Sequence, residues 1–95
     1  MVQVLLGDPR IHELKAWWTA QRFRHAVFAA QERLRDAGCL WGHYYVSLRL
    51  GGISVRTLRR YMRGETELPN PRILRCIDEG FKGLLGDEWL EEWSD

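Results

Sequence analysis

Apolar positions first fall into a helical rhythm after Asp8-Pro9, a capping residue followed by one whose missing N–H is harmless at a first helical position. Ile11, Leu14, Trp17 and Trp18, then Phe23, Val27, Ala30, Leu34 and Ala37, recur mostly at spacings of three and four until Gly38. That pattern predicts one long helix or two with a break near Thr19. Its polar face carries Arg22, Arg24, Arg33 and Arg35. A second helical segment is predicted over 40–50, LWGHYYVSLRL, with Gly42 and the paired tyrosines weakening its first turn and Gly51-Gly52 stopping it. Ser54 then caps a short helix that runs to Arg63 and ends at Gly64. Asn70-Pro71 repeats the cap-plus-proline start and opens a helix with Ile73, Leu74 and Ile77 on one side, closing at Gly80. Asp87 heads a last turn or two bearing Trp89, Leu90 and Trp93. The first six residues, MVQVLL, fit a strand, an arm or a dimer contact equally. With no internal repeat, the expected fold is all-α, a compact bundle of five or six short helices.

Ninety-five residues enclose a single modest core, so one domain over 1–95 is expected, and 45% hydrophobic with 12% aromatic residues is enough to fill it. No apolar run is long enough to span a bilayer, and VQVLLGDPR after Met1 lacks the basic start and cleavage site of a secretion signal, so the expected location is the cytoplasm. Cys39 and Cys76 lie far apart without a CxxC spacing, which implies neither a disulfide framework nor a zinc knuckle. The net charge of +1 hides a strong polarity. Residues 1–63 hold eleven Lys or Arg against four Asp or Glu, whereas residues 64–95 hold three against nine. A basic face for a polyanion and a separate acidic segment are both compatible with that split.

The basic half concentrates its chemistry in SVRTLRRYMR, residues 54–63. Placed on a helix at about 100° per residue from Val55, Leu58, Tyr61 and Met62 fall near ~300°, ~240° and ~340°, while Arg59, Arg63, Arg56 and Arg60 fall near ~40°, ~80°, ~100° and ~140°. A merely solvated face intersperses Glu for pairing at i,i+4. Four arginines without an acid among them point instead to a negatively charged partner.

The run Val46-Ser47-Leu48-Arg49-Leu50-Gly51 followed by Ile53 to Gly64 resembles the helix-turn-helix of the lambda-repressor-like (Cro and XRE) regulators. Ser47, Leu50, Gly51, Ile53, Ser54, Leu58, Tyr61 and Gly64 fill that family's places, Pro69 matches its exit toward the next helix, and the resemblance covers about residues 30–80. It implies a bundle containing a helix-turn-helix and a chain that binds double-stranded DNA and regulates transcription. In that setting the start of the recognition helix enters the major groove, where Val55, Arg56 and Arg59 reach base edges. Arg60 and Arg63, with Ser54 and Thr57, are placed for phosphates. The small size and absence of a ligand-sensing domain imply a simple repressor of the kind phages and plasmids carry. Two departures stand out: Gly52 adds a residue to the turn, and the N-terminal helix and the acidic, Trp-rich tail lie outside the family's core.

A single recognition helix reads too few base pairs, so a homodimer on two half-sites is expected. The tail offers candidate contacts in Leu85, Trp89, Leu90 and Trp93, with Leu84 beside them; the alternative is that these pack back onto Trp17 and Trp18. A rival function is a protein-interaction module or inhibitor using the acidic tail, Asp87, Glu88, Trp89, Glu91, Glu92 and Trp93, against a basic or apolar partner. No nucleophile, base and orienting group occur together, so no enzyme is expected, and no cofactor or metal. His12 and His25 are isolated, and Cys39 with His43 has i,i+4 spacing but no second ligand pair. Stacking aromatics are not interleaved with the arginines, which disfavours single-stranded RNA.

Overall fold

A computed structural model describes residues 9–38, 42–66 and 68–92. Residues 1–6, the cap Asp8, Cys39, the start of the second predicted helix at Leu40, and Trp93 lie outside the described residues. Six helices and no strand occur among those described: α1 (Pro9–Trp17), α2 (Ala20–Asp36), α3 (Gly42–Arg49), α4 (Val55–Arg63), α5 (Pro71–Leu85) and α6 (Trp89–Glu92). The all-α bundle of short helices is as expected. No helix among the described residues is long and apolar enough to cross a membrane.

The open question near Thr19 resolves into two helices. Trp18 and Thr19 leave helical geometry, Thr19 adopts extended angles (φ −141°, ψ 155°), and its Oγ1 accepts from the Arg22 N–H at 3.0 Å. Arg22 reaches back to donate to the Trp17 carbonyl at 3.0 Å, covering an orphan acceptor at the end of α1. The break lets the two adjacent tryptophans work in different directions. Trp17 packs edge-on against Trp89 of α6 (5.1 Å, 85°), while Trp18 takes Phe23 (4.8 Å) and Tyr61 of α4 (5.6 Å, 89°). Phe81 closes the ring of aromatics, 6.0 Å from Phe23 and 4.7 Å from Trp89. Each fully buried large side chain here contributes about 1.5–3 kcal/mol of transfer free energy, and this cluster joins all helices but α3.

The predicted stop at Gly80 is wrong: α5 continues to Leu85 and ends at Gly86 (φ 107°). Leu84 and Leu85 prolong the apolar face, which helical hydrogen bonding carries past a glycine at a cost of about 1 kcal/mol. Gly80 serves close approach instead, because a methyl there would overlap the Arg49 carbonyl and Leu50 where the end of α3 crosses α5.

Of the tail residues expected at a dimer contact, the three described are packed inside the chain. Leu85, Trp89 and Leu90 are 4%, 0% and 5% exposed, buried in the chain's own core, so they have no free surface for a second copy. Packing back onto Trp17, the alternative reading, is what the fold does.

Candidate functional site

The local sequence around α4 fixes both of its ends. Ser54 holds extended angles and its Oγ accepts from the Thr57 N–H at 3.0 Å, which satisfies one orphan donor of the first turn. At the other end Gly64 takes the left-handed conformation (φ 72°), the Gly64 N–H bonds the Tyr61 carbonyl, and the Glu65 N–H bonds the Arg60 carbonyl at 3.1 Å. That pair of bonds is a Schellman close. Arg24 of α2 adds a third tie, donating from Nη1 to the Met62 carbonyl at 2.7 Å. Two of the four arginines read on the polar face of α2, Arg22 and Arg24, are thus helix-end ties; Arg33 and Arg35 are exposed. A charge-assisted bond to an otherwise unpaired carbonyl contributes about 1.5–3 kcal/mol.

Leu58, Tyr61 and Met62 are buried, and Arg56, Arg59, Arg60 and Arg63 are exposed, so α4 turns one arc into the core and the other outward. Val55 and Thr57 are half-buried at the rim. Arg56, Arg59 and Arg60 have no carboxylate partner among the described residues. Arg63 does, its Nε lying 2.6 Å from Glu65 Oε2, with both side chains more than half exposed or nearly so at 57% and 50%. Ser54 was expected to donate to phosphate, but its hydroxyl proton goes to Thr57 Oγ1 at 2.9 Å. The hydroxyl left to donate outward belongs to Thr57.

The segment before α4 is a tight close. The Gly52 N–H bonds the Ser47 carbonyl at 3.2 Å, and Gly51 and Gly52 both take positive φ (88° and 76°). The turn into α4 is therefore made by two consecutive left-handed glycines, a conformation other residues resist. Gly51 lies directly over Cys76 of α5, where a methyl would meet the Cys76 Cβ at 2.6 Å. His43, on the first turn of α3, has its pKa lowered by burial and by the charge of Arg59, and its Nε2 is buried with no hydrogen-bond partner among the described residues. No three His, Cys, Asp or Glu side chains converge to hold a metal among the described residues.

Periodicity did not reveal what anchors the other end of the molecule. Asp78, 3% exposed, accepts from Arg10 Nη2 at 2.7 Å and Nε at 3.1 Å, and from Trp89 Nε1 at 2.8 Å. The signal was available: an aspartate inside the apolar stripe of Leu74, Ile77 and Phe81 demands a buried partner.

Compared with known proteins, the chain matches no family model, no curated sequence and no solved structure.

Proposed function

We propose that this chain is a sequence-specific double-stranded DNA-binding protein, a small cytoplasmic transcriptional regulator of the lambda-repressor-like kind, acting as a phage- or plasmid-type repressor and binding as a dimer. One observation carries the reading: α4 is capped, packed and tied at both ends, yet three of the four arginines on its outer arc lack any carboxylate partner among the described residues. A rigid helix holding uncompensated guanidiniums suits major-groove recognition, because a guanidinium fork donates two hydrogen bonds to O6 and N7 of guanine. Arg56 and Arg59, near the start of the helix, take base edges; Arg60, Arg63 and the Thr57 hydroxyl take phosphates. For the rival reading, a protein module built on the acidic tail, one of its two tryptophans, Trp89, is buried, and the other, Trp93, lies outside the described residues.

Selection of bound sites from random duplex DNA tests the proposal. An enriched palindromic motif supports it, and no enrichment overturns it. On the selected site, Arg56→Ala relaxes base preference by about 1–3 kcal/mol at one position, while Arg63→Ala weakens all sequences alike. Equal losses on selected and random DNA for both variants contradict that division of roles.

A further inference from the structure

With Leu85, Trp89 and Leu90 buried in the core, a protein reading two half-sites needs another surface that fits a copy of itself, and α3 carries one. On a helical wheel at about 100° per residue, Val46, Ser47, Leu50 and His43 occupy one side of α3, and Tyr44, Leu48, Tyr45 and Arg49 the other. Tyr44, Tyr45 and Leu48 are 53%, 40% and 49% exposed, and the two tyrosine rings meet edge-to-face at 5.7 Å. An ordinary solvated face of a short helix is charged; this one has a single charge, Arg49. Its guanidinium lies alongside Gly83 and has no carboxylate partner among the described residues.

Position separates this arc from the DNA-facing one. Val46, Ser47 and Leu50, with half-buried His43, form the side of α3 that packs against α2, α4 and α5, and the Tyr-Leu-Arg arc lies on the opposite side of the helix. DNA seated on the arginines of α4 therefore leaves the arc uncovered. The arc is also self-complementary. Aromatic rings stand at its N-terminal end and a cation at its C-terminal end, so two copies laid antiparallel about a two-fold axis place each Arg49 on the other's tyrosines, with the two Leu48 side chains between.

Resting on the DNA-binding reading above, we infer that the outer arc of α3, Tyr44, Tyr45, Leu48 and Arg49, is where a second copy of this chain docks when both occupy neighbouring half-sites. Tyr44, Tyr45 and Leu48 together leave only a small exposed patch, and two of the three side chains end in hydroxyls. A stable interface covers about 800 Å² per partner. Contact through α3 alone is thus weak between free chains and forms when DNA supplies a high effective concentration.

The test compares binding of the full chain to a duplex with one selected half-site and to a duplex with two. The unaltered chain binds the second half-site at least about tenfold more tightly once the first is filled. Leu48→Glu, an exposed position whose melting temperature stays unchanged, keeps its half-site affinity and loses the tenfold gain. In a Cys39→Ser, Cys76→Ser background, Leu48→Cys forms a disulfide-linked dimer on the two-site duplex and Glu92→Cys does not. Half-site binding without cooperativity, cooperativity that survives Leu48→Glu, or equal cross-linking at Glu92→Cys overturns the docking surface. Absence of half-site binding by the unaltered chain overturns the DNA reading itself, and the DNA-coupled dimer with it.

Discussion

Asp78 shows what a single side chain can fix. Burial pushes its carboxyl up, but the hydrogen bonds from Arg10 and Trp89 and the charges of Arg10 and Lys82 outweigh burial and hold it below the ordinary aspartate value. A carboxyl whose folded pKa is depressed stabilises the fold fully above its unfolded pKa, and that stability is lost as the pH falls through the lower folded value. Acid unfolding of the unaltered chain should therefore set in from about pH 4 downward, with Asp78 as a principal contributor. Asp78→Asn keeps an acceptor for Trp89 but takes from Arg10 the buried carboxylate of its ion pair, Glu13 remaining at 3.6 Å, and should cost about 3 kcal/mol at pH 7. Urea unfolding followed at several pH values checks both parts: the variant is less stable at neutrality, and its stability changes less between pH 5 and 3. A variant as stable as the parent at pH 7 contradicts the assignment. Arg10 binds this carboxylate from α1 while Trp89 binds it from α6, so one residue of α5 holds the first and last helices among the described residues.

At the scale of the elements, the helix ends were the most legible part of the sequence. Ser54, Asn70, Gly38 and Gly64 act through local hydrogen bonds and backbone angles, which depend on neighbours in the chain. Gly80 was misread for the opposite reason. Its role depends on the Arg49 carbonyl, 31 residues away, and no local pattern distinguishes a packing glycine from a terminating one. The adjacent tryptophans were ambiguous in the same way, since periodicity places Trp17 and Trp18 on a helix without naming the rings each will meet. Two glycines of α5 turn this into a measurement. Gly80→Ala drives a methyl into backbone and should destabilise by about 1–3 kcal/mol, although alanine is the better helix former. Gly83→Ala, exposed and with nothing nearer than Arg49 Nη1 at 3.9 Å, should stabilise by about 0.5–1 kcal/mol. Thermal unfolding of the two variants should shift in opposite directions, and a shift of the same sign would show that the close crossing of α3 and α5 is not tight in solution. For the candidate site, the two faces of α4 and its Ser54 cap were readable from the sequence alone, but the tie from Arg24 to the Met62 carbonyl was not, because it is set by which helix lies alongside.

For the whole molecule, the decisive quantity is how its charges answer to salt. Each phosphate contact made by a cation releases counterions and contributes about −0.9 to the slope of log affinity against log salt. Arg60 and Arg63, with partial neutralisation by Arg56 and Arg59, give an expected slope of about −2 to −4 for one copy on a half-site, and about twice that for two copies on a two-site duplex. Glu65 holds Arg63 in an exposed pair, and on the DNA-binding proposal it would act against binding by adding a negative charge beside the phosphates. An exposed pair of this kind contributes less than about 1 kcal/mol to the free chain, so a phosphate can displace it. Glu65→Gln should then raise affinity about two- to fivefold on selected and random DNA alike, because phosphates carry no sequence information. Adding Arg63→Ala to that variant should remove the gain, whereas adding Arg56→Ala should leave the gain on random DNA intact. Salt-titrated binding of these three proteins to both duplexes separates the phosphate role proposed for Arg63 from the base-reading role proposed for Arg56. A gain from Glu65→Gln that persists without Arg63 would mean that the glutamate acts through long-range repulsion alone.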